Sequence, residues 1–382
     1  MYGLFSVSLS SLIARRRIGS VLLLWTVLSS AALAQEVRLG MSAPLTGPRA
    51  AAAAELRTGV EAALRQVNTA GGVGGRQVVL DVRDDGGVAH RTVANTRAFG
   101  SDARIAALIG YVGAETTIAA LPDLEAARLS LVGVLSGAES LREEDSRYVF
   151  HVRAGHAQEA AAIVTQLDHM GIEKIGVLHQ NDSLGRDGLV GARAELSRLA
   201  IGPTAVAQID ELGKDADRAA RELGSNPAGA VIVIANDRST GAFVRAMKAA
   251  GQNPRYLAVS DADGESLVRS LGPLARGFGM SQVVPLPTSA TRLVVREYQA
   301  AMTAMGQKTF THLSLEGYLY GRVAIEALRR VGRDVSRARL LQALEQFEVD
   351  LGGFRVRFSG KSRQGSVFTE MTVVGHDGRL AR

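Results

Sequence analysis

Short apolar runs alternate with longer amphipathic stretches along most of the chain. Residues 37–42, 78–82, 105–109 and 129–135 are apolar runs of strand length, whereas residues 50–68 repeat apolar positions at helical spacing. The same alternation continues as far as residue 283. It predicts right-handed βαβ units, in which parallel sheets are covered by helices on both faces.

The strand patterns form two series, because their number is too large for one sheet. The first series ends near residues 149–152, and the second opens with a helical pattern over 156–170. A proline-containing linker at 285–287 follows, and then three helical stretches come without a strand. The tail, residues 354–358 and 367–374, is predicted to form a pair of strands.

The first 34 residues have the three-part layout of a secretory signal peptide. Residues 15–17 are arginines, residues 18–28 are mostly apolar, and residues 32–34 (Ala-Leu-Ala) form a small-residue cleavage signal. Two serines interrupt the apolar run, which argues against a transmembrane helix. We therefore expect cleavage after Ala34, through the general or the twin-arginine export route.

Net charge and cysteine content exclude several classes of binding partner and of covalent modification. The chain of 382 residues carries a formal net charge of +6, which falls to +3 without the first 34 residues, because these hold three arginines and no acidic residue. Aromatic residues make up 5%, so a nucleic-acid partner is not expected. The chain has no cysteine, which excludes disulfides and thiol nucleophiles. We expect a freely diffusing periplasmic protein without a lipid anchor.

Motifs of catalysis and of metal binding are missing from the sequence. None of the seven histidines belongs to an H-E-x-x-H motif, and there is no G-x-S-x-G elbow. The glycine-rich segment 71–75 follows a helix and precedes a strand, which is the reverse of the dinucleotide fingerprint and indicates a tight turn. We expect no metal, no cofactor and no catalytic residue, and hence not an enzyme.

Two small-polar loops follow neighbouring strands of the first series. Residues 110–117 lead straight into a helix, and residues 136–141 form a second loop of the same kind. Ligands bind at the carboxyl ends of parallel strands, and exposed N–H groups at a helix start suit an anion. Thr116 and Ser136 can instead be simple helix caps, but two such loops side by side favour a carboxylate site.

A series of short motifs follows in order along the chain. Its members are Leu39, Gly40, Thr46, Gly47, Val67, Asn68, Gly71, Gly72, Asp84, Asp85, Gly110, Tyr111, Val112, Gly113, Ser136, Gly137, Tyr148, Arg153, Gln180, Asn181, Asp182, Gly185, Gly317, Tyr318, Asp377 and Gly378. Each motif is weak alone. Together they cover nearly the whole mature chain, which resembles the periplasmic solute-binding proteins of the leucine/isoleucine/valine type that serve ABC importers.

The resemblance implies an α/β fold of two discontinuous, doubly wound parallel-sheet lobes joined by a three-stranded hinge. The N-terminal lobe is expected over 35–152 and 284–350, and the C-terminal lobe over 153–283 and 351–382. A monomer is expected to capture a small carboxylate ligand in the interlobe cleft and to deliver it to importer membrane subunits. The ligand is expected to be a branched-chain or other amino acid, or an aromatic acid. An extracytoplasmic sensor that feeds a receptor or kinase stays an alternative, and a secreted hydrolase is a remote one.

The resemblance also implies which residues bind the ligand, because two loops of the first lobe grip its carboxylate in this family. The residues mapped from the first lobe are Tyr111, Gly113, Ala114, Glu115, Thr116, Ser136, Gly137 and Ala138. Those mapped from the second lobe are Asn181, Leu184, Asn236 and Asp261. Either Asp261 or Asp263 is expected to take an ammonium group.

Four positions depart from the family pattern. Ala114 and Glu115 replace a Ser/Thr run, Glu139 stands where threonine is frequent, and Leu184 replaces a common tyrosine. Hydroxyls that would hold a free amino acid are thereby lost, and a carboxylate near Glu115 or Glu139 would be repelled unless these side chains point away. Specificity for leucine is therefore not implied.

Overall fold

The computed structural model describes residues 1–3, 36–143 and 146–382. The predicted signal peptide falls, from residue 4 onward, outside the described residues, as does the cleavage site after Ala34. Within the described ranges, no helix combines the length and the apolar character that crossing a membrane requires.

The first strand series forms β-α repeats as predicted. Its elements are β1 (Val37–Ala43), α1 (Ala50–Thr69), β2 (Val78–Asp84), α2 (Ala89–Ser101), β3 (Ile105–Val112), α3 (Ala114–Ala127), β4 (Leu131–Leu135), α4 (Glu139–Glu143) and β5 (Val149–Phe150). These five strands form one parallel sheet in the order β2-β1-β3-β4-β5.

The second series begins with a helix and continues the alternation. Its elements are α5 (His156–His169), β6 (Ile175–Gln180), α6 (Ser183–Arg198), β7 (Ala205–Ile209), α7 (Ala216–Gly224), β8 (Ala230–Ile234), α8 (Asp237–Ala249), β9 (Arg255–Ala258), α9 (Gly264–Leu271) and β10 (Gly279–Gln282), with 3-10 turns at Ser260–Ala262 and Gly272–Ala275.

The last part of the chain adds three helices and four short strands. They are α10 (Leu293–Ala304), α11 (His312–Val331), α12 (Arg337–Glu345), β11 (Glu348–Asp350), β12 (Arg355–Arg357), β13 (Glu370–Val374) and β14 (Leu380–Ala381). The second sheet has the order β14-β13-β10-β9-β8-β6-β7. The five strands from β10 to β7 are parallel, and β13 and β14 run antiparallel at the opposite edge. The predicted α/β class with two parallel sheets is confirmed.

The prediction that the two tail strands pair with each other is wrong. β12 pairs instead with β11, and β13 joins the edge of the large sheet beside β10. The physical reason is burial, because Val356 and Phe358 pack in the core around the first sheet, whereas Val374 packs in a core of the second. The tail strands thus belong to two different cores.

Two helices outside the first sheet cross at very short range. A Cβ atom at Gly59 of α1 would lie 1.8 Å from the carbonyl oxygen of Ser314, and one at Gly317 of α11 would lie 1.9 Å from that of Leu56. The absence of side chains at these two positions therefore lets the backbones meet. This contact holds α11, which comes late in the sequence, against the first lobe.

The chain passes between the two sheets three times: after β5, after β10 and between β12 and β13. The first and third passages pair, because the His151 amide donates to the Arg363 carbonyl at 2.8 Å and the Gly365 amide donates to the His151 carbonyl at 2.7 Å. Apolar residues up to Phe358 pack in the first core, beyond the expected lobe boundary at 350/351. The lobe boundaries stay a prediction.

Candidate functional site

One cavity, of about 140 Å³, lies where the strand ends of the two sheets face each other. Val112 and Leu135 line it at the ends of β3 and β4, and Arg49 lines it from the loop after β1. Asn236 and Asp261 line it from the loops after β8 and β9. Both lobes therefore supply its wall, as expected for a site in doubly wound sheets.

A buried guanidinium organises the deep side of this cavity. Arg153, in the first passage between the lobes, is 2% exposed. Its Nη2 donates to Glu159 Oε1 at 2.9 Å, to Ser260 Oγ at 2.5 Å and to Asp261 Oδ2 at 3.3 Å. Its Nη1 lies 3.7 Å from Glu316 Oε1, on α11. One side chain thus connects residues from both lobes.

Two opposing effects set the pKa values of the carboxyl groups in this cluster: burial disfavours their charged form, and nearby cations favour it. Burial opposes the charge of Asp261, but His156 and Arg153 hold the pKa of this carboxyl well below its usual range. Burial raises the pKa values of Glu159 and Glu316, although Arg153 opposes the rise in both. The charge of Arg153 is therefore already shared among carboxylates of the protein.

His156, Glu159 and Asp261 also place three metal-ligand atoms within 4.8 Å of one another. His156 Nε2 lies 2.9 Å from Asp261 Oδ2. Arg153 donates to both carboxylates of the group, so a guanidinium already stands where a metal cation would be. This arrangement favours a structural ion cluster over a metal centre.

A second group of ionisable residues lines the cavity near the start of α9. His312 Nδ1, on α11, lies 2.8 Å from Glu265 Oε1, on α9, so that this pair joins the two lobes. Asp263 accepts a hydrogen bond from the Ser266 amide at 3.2 Å. Burial, together with the negative charge of Glu265, raises the pKa of Asp263 to about 7.

Further hydrogen bonds bridge the lobes at the rim of the cleft. The Ser140 amide and hydroxyl both donate to Asp187 Oδ2, at 3.0 and 2.7 Å. The Ser183 amide, at the start of α6, donates to Glu115 Oε1 at 3.4 Å. These contacts describe a closed arrangement of the two lobes.

Four of the residues singled out from the sequence line this cavity. Leu184, Asn236 and Asp261 all contribute to its wall, and so does Asp263. Asn236 also caps α8 by accepting from the Ser239 amide at 2.9 Å. Since Asp261 is paired with Arg153 and His156, the two aspartates differ in what they can still bind.

The first-lobe loops do not line the cavity in the way that was predicted. Tyr111 is fully buried, and its hydroxyl bonds to Thr96 Oγ1 at 2.8 Å inside the core. Thr116 Oγ1 donates to the Val112 carbonyl at 2.7 Å, and Ser136 Oγ accepts from the Ala138 amide at 3.2 Å. The Thr116 hydroxyl is thus used as a donor within its own loop, whereas Ser136 Oγ serves there as an acceptor.

The other mapped residues of these loops have backbone and packing roles. Gly113 has φ +95° just before α3, and Ala114 is buried in the first turn of that helix, which begins inside the segment predicted as a loop. The Gly137 carbonyl accepts from the His156 amide at 2.7 Å. Asn181, in the second lobe, is exposed, and its Oδ1 accepts from Gln208 at 3.0 Å, outside the cavity wall.

Sequence reasoning missed seven ionisable residues of the wall, which are Arg49, Arg153, Asp237, Glu265, Arg269, His312 and Glu316. Arg153 and Glu316 stood beside recognised motifs, since Arg153 ends the motif at 148–153 and Glu316 precedes Gly317. A charged residue in an otherwise apolar run was the available signal, because such a residue is rarely buried unless it is paired. His312 and Glu265 had no comparable signal.

Comparison with known proteins agrees with this geometry. Residues 36–378 match the family model described as periplasmic binding protein. Leu/Ile/Val-binding protein homolog 8 of Brucella abortus is 25% identical, over 92% of this chain and 91% of that protein. The chain covers 65% of homolog 1 of Brucella suis, at 22% identity.

Among solved structures, a possible leucine/isoleucine/valine-binding protein from Rhodopirellula baltica superposes with a TM-score of 0.85. It is 29% identical, and the match covers 92% of this chain and 98% of that one. The predicted family and fold class are thereby confirmed. The prediction of a binding protein rather than an enzyme is confirmed as well. The chain belongs to the periplasmic binding protein family, and it resembles the leucine/isoleucine/valine-binding members.

Proposed function

We propose that this protein is the periplasmic substrate-binding component of an ABC importer and that it captures a small carboxylate ligand between its lobes. The observation that carries the proposal is the cavity at the strand ends, whose wall comes from both lobes. A ligand held there contacts both lobes, so it stabilises the closed state over the open one. The importer's membrane subunits are the expected partners of that closed state.

Arg269 is the best-placed receptor for the ligand carboxylate. It lines the cavity, and no carboxylate of the described residues lies within 4.0 Å of its guanidinium. A guanidinium can hold a carboxylate through two parallel hydrogen bonds. Leu184 offers apolar contact, while Asn236 and Asp261 complete the proposed set of ligand-binding residues.

Export and assembly state belong to the same proposal. The family acts outside the cytoplasm, and we expect secretion with cleavage after Ala34 and a monomer in solution. We propose that the ligand is an amino acid or an aromatic acid. The Thr116 hydroxyl, which would donate to a leucine carboxylate, donates to the Val112 carbonyl instead.

A ligand screen on residues 35–382 tests the function. Small amino acids and aromatic acids are added singly, and the melting temperature is recorded, because a ligand that binds the folded state raises it. One responsive class supports the proposal, and a flat response to all small carboxylates contradicts the ligand class. Uptake of the responsive compound by cells with and without the gene then tests the importer role.

Substitution of Arg269 tests the proposed carboxylate contact. We expect Arg269→Gln to weaken binding of the responsive ligand by about 1–3 kcal/mol, since a charged hydrogen bond is lost. Arg276→Gln is the matched control, because Arg276 is also an exposed arginine of the second lobe but lies outside the cavity wall. Equal affinities for the two variants, measured by calorimetry, would exclude Arg269 from the site.

A further inference from the structure

Two buried charged groups on the deep side of the cavity face each other without a hydrogen bond. Arg153 Nη1 and Glu316 Oε1 are 3.7 Å apart, which is too long for a hydrogen bond. Both side chains line the cavity, and they are 2% and 4% exposed. The gap between them is therefore a place on the cavity wall where a group of the ligand can be bonded from two sides.

The other contacts of these two side chains leave atoms free for such a group. Nη2 and Nε of Arg153 donate to groups of the protein, whereas Nη1 makes no hydrogen bond to a described residue. On Glu316, Oε1 accepts from the Tyr320 hydroxyl, and Oε2 accepts from no described residue. The guanidinium thus offers a donor and the carboxyl group offers an acceptor. Because buried polar groups are nearly always bonded, the gap calls for a partner that both accepts and donates.

The charges around the gap disfavour an ion of the ligand at this place. The guanidinium already pairs with Glu159, Asp261 and Glu316, so a ligand carboxylate here would lie beside three carboxyl groups of the protein. A ligand cation would lie beside the guanidinium itself. Burial raises the pKa of Glu316, although the charge of Arg153 opposes the rise. A further buried charge without a partner is costly, so a neutral group fits best.

Gln282 adds an independent observation on the wall of the same cavity. The residue is 2% exposed and lines the cavity. Its Nε2 donates to Thr372 Oγ1 at 3.4 Å, and its Oε1 accepts from no described residue. Val283 and Val284, which follow it in the chain, also line the cavity and give it apolar surface. A few unused polar atoms in an apolar wall are typical of sites that select one uncharged polar group.

We infer that the deep side of the cavity binds a neutral hydroxyl or carboxamide group of the ligand, which accepts a hydrogen bond from Arg153 Nη1 and donates one to Glu316. The inference rests on the proposed binding function and names the class of ligand within it. The expected ligand is a polar uncharged amino acid or a hydroxylated aromatic acid, and not an aliphatic amino acid. Arg153 and Glu316 thereby determine specificity, in addition to their part in the buried ion cluster.

Isosteric pairs of compounds isolate this contact, because the two members have nearly the same shape and differ in the polar group. Residues 35–382 are titrated calorimetrically at pH 7.5 with L-threonine and L-valine, with L-asparagine and L-leucine, and with 4-hydroxybenzoate and 4-methylbenzoate. In at least one pair we expect the polar member to bind about 10-fold or more tightly than the apolar one, because the apolar compound leaves buried groups of the protein unpaired.

Two substitutions of Glu316 separate ligand recognition from stability. Glu316→Leu removes the acceptor, so the preference for the polar compound should fall below about threefold, whereas Glu316→Gln keeps an acceptor and should keep most of the preference. Glu326→Leu is the matched control, because Glu326 lies on the same helix but outside the cavity wall. A preference that survives Glu316→Leu would overturn the assignment, since a merely structural role changes stability and not the ratio of two affinities. Should Glu316→Leu not fold, the isosteric pairs in the unaltered protein still decide.

The outcomes distinguish this inference from the function beneath it. If the apolar member of every pair binds as tightly as its polar partner, or within about 10-fold of it, water suffices to fill the gap, the inference is overturned and the binding function stands. If none of the six compounds binds to protein that circular dichroism shows to be folded, both are contradicted. A preference for the polar compound that Glu316→Leu removes and Glu326→Leu keeps supports both.

Discussion

At the scale of single residues, the ion cluster around Arg153 combines deep burial with several charges. Its guanidinium is 2% exposed, and Glu159, one of its partners, is fully buried. Charges out of water are costly unless they are paired, and removal of one partner leaves the others uncompensated. The free energy of unfolding is therefore expected to depend strongly on the Arg153 side chain.

We expect Arg153→Met to lower the free energy of unfolding by about 3–5 kcal/mol, because buried carboxylates lose their counterion. Urea denaturation at pH 7 measures the change. Arg97→Met is the control, since Arg97 pairs with Asp123 but is 69% exposed, and its loss should cost about 0–1 kcal/mol. Equal stability of the Arg153 and Arg97 variants would contradict the role given to the buried cluster.

His151 is predicted to give the protein a pH dependence. Burial, with a contribution from Arg142, lowers the pKa of this ring well below its usual value. The unfolded chain therefore binds a proton that the folded chain does not accept. The stability due to the neutral ring is present above the unfolded pKa of about 6.5 and is lost as the pH falls below it.

The measurement is the free energy of unfolding between pH 7.5 and pH 5. His151 should lower this free energy as the pH falls, by at most about 1.4 kcal/mol per pH unit for one proton, so the parent should lose more stability over this range than His151→Gln does. The raised pKa of Asp263 acts in the opposite direction, and it does so equally in both proteins. His376→Gln is the control, because His376 is exposed. Parallel slopes for His151→Gln and the parent would show that His151 does not carry the effect.

Residue roles were the least predictable part of the molecule. Asp261 and Asn236 were mapped from the family resemblance, and both line the cavity, after strands whose carboxyl ends meet at one edge. Thr116 and Ser136 were assigned to the ligand by their loop positions, yet both hydroxyls bond within those loops. Whether a hydroxyl points to a ligand or to its own backbone depends on side-chain rotation, which a one-dimensional pattern does not contain.

At the scale of elements, the crossing of α1 and α11 depends on two glycines. A Cβ at Gly317 would meet the Leu56 carbonyl at 1.9 Å, and backbone cannot move aside as a flexible side chain can. We expect Gly317→Ala to lower the free energy of unfolding by about 1–3 kcal/mol through overpacking.

The matched control for this substitution is Gly202→Ala. No atom lies within 4 Å of a Cβ placed there, so the free energy should change little. Urea denaturation of both variants decides the point. A Gly317→Ala variant as stable as Gly202→Ala would mean that the two helices separate at little cost.

Most helices and strands could be predicted from the sequence to within two or three residues. β1, predicted over 37–42, spans Val37–Ala43, since a short apolar run in a parallel sheet is bounded by turn residues. The short helix α4 was missed and the tail strands were paired wrongly, because neither has enough residues to show a period. Their structure depends on partners that are distant in the sequence, as β13 depends on β10.

At the scale of the whole molecule, the lobes are held together by contacts that involve no ligand. Among these contacts are the pairs Ser140 with Asp187, Ser183 with Glu115, and His312 with Glu265. Such contacts raise the population of the closed state before ligand arrives. Apparent affinity then rises with the fraction of protein that is already competent to bind.

Asp187 provides the sharpest test of this balance, because it accepts two hydrogen bonds from Ser140 across the cleft and does not line the cavity. We expect Asp187→Ala to shift the unliganded protein toward the open form and to weaken ligand binding by about 1–2 kcal/mol, or roughly 5- to 30-fold. Small-angle scattering with and without saturating ligand measures the shift as a larger radius of gyration in the unliganded variant alone.

Asp168→Ala, on the exposed surface of α5 in the same lobe, should leave both the radius of gyration and the affinity unchanged. If Asp187→Ala also leaves both unchanged, closure is driven by the ligand alone, and the rim contacts form only after the lobes have met.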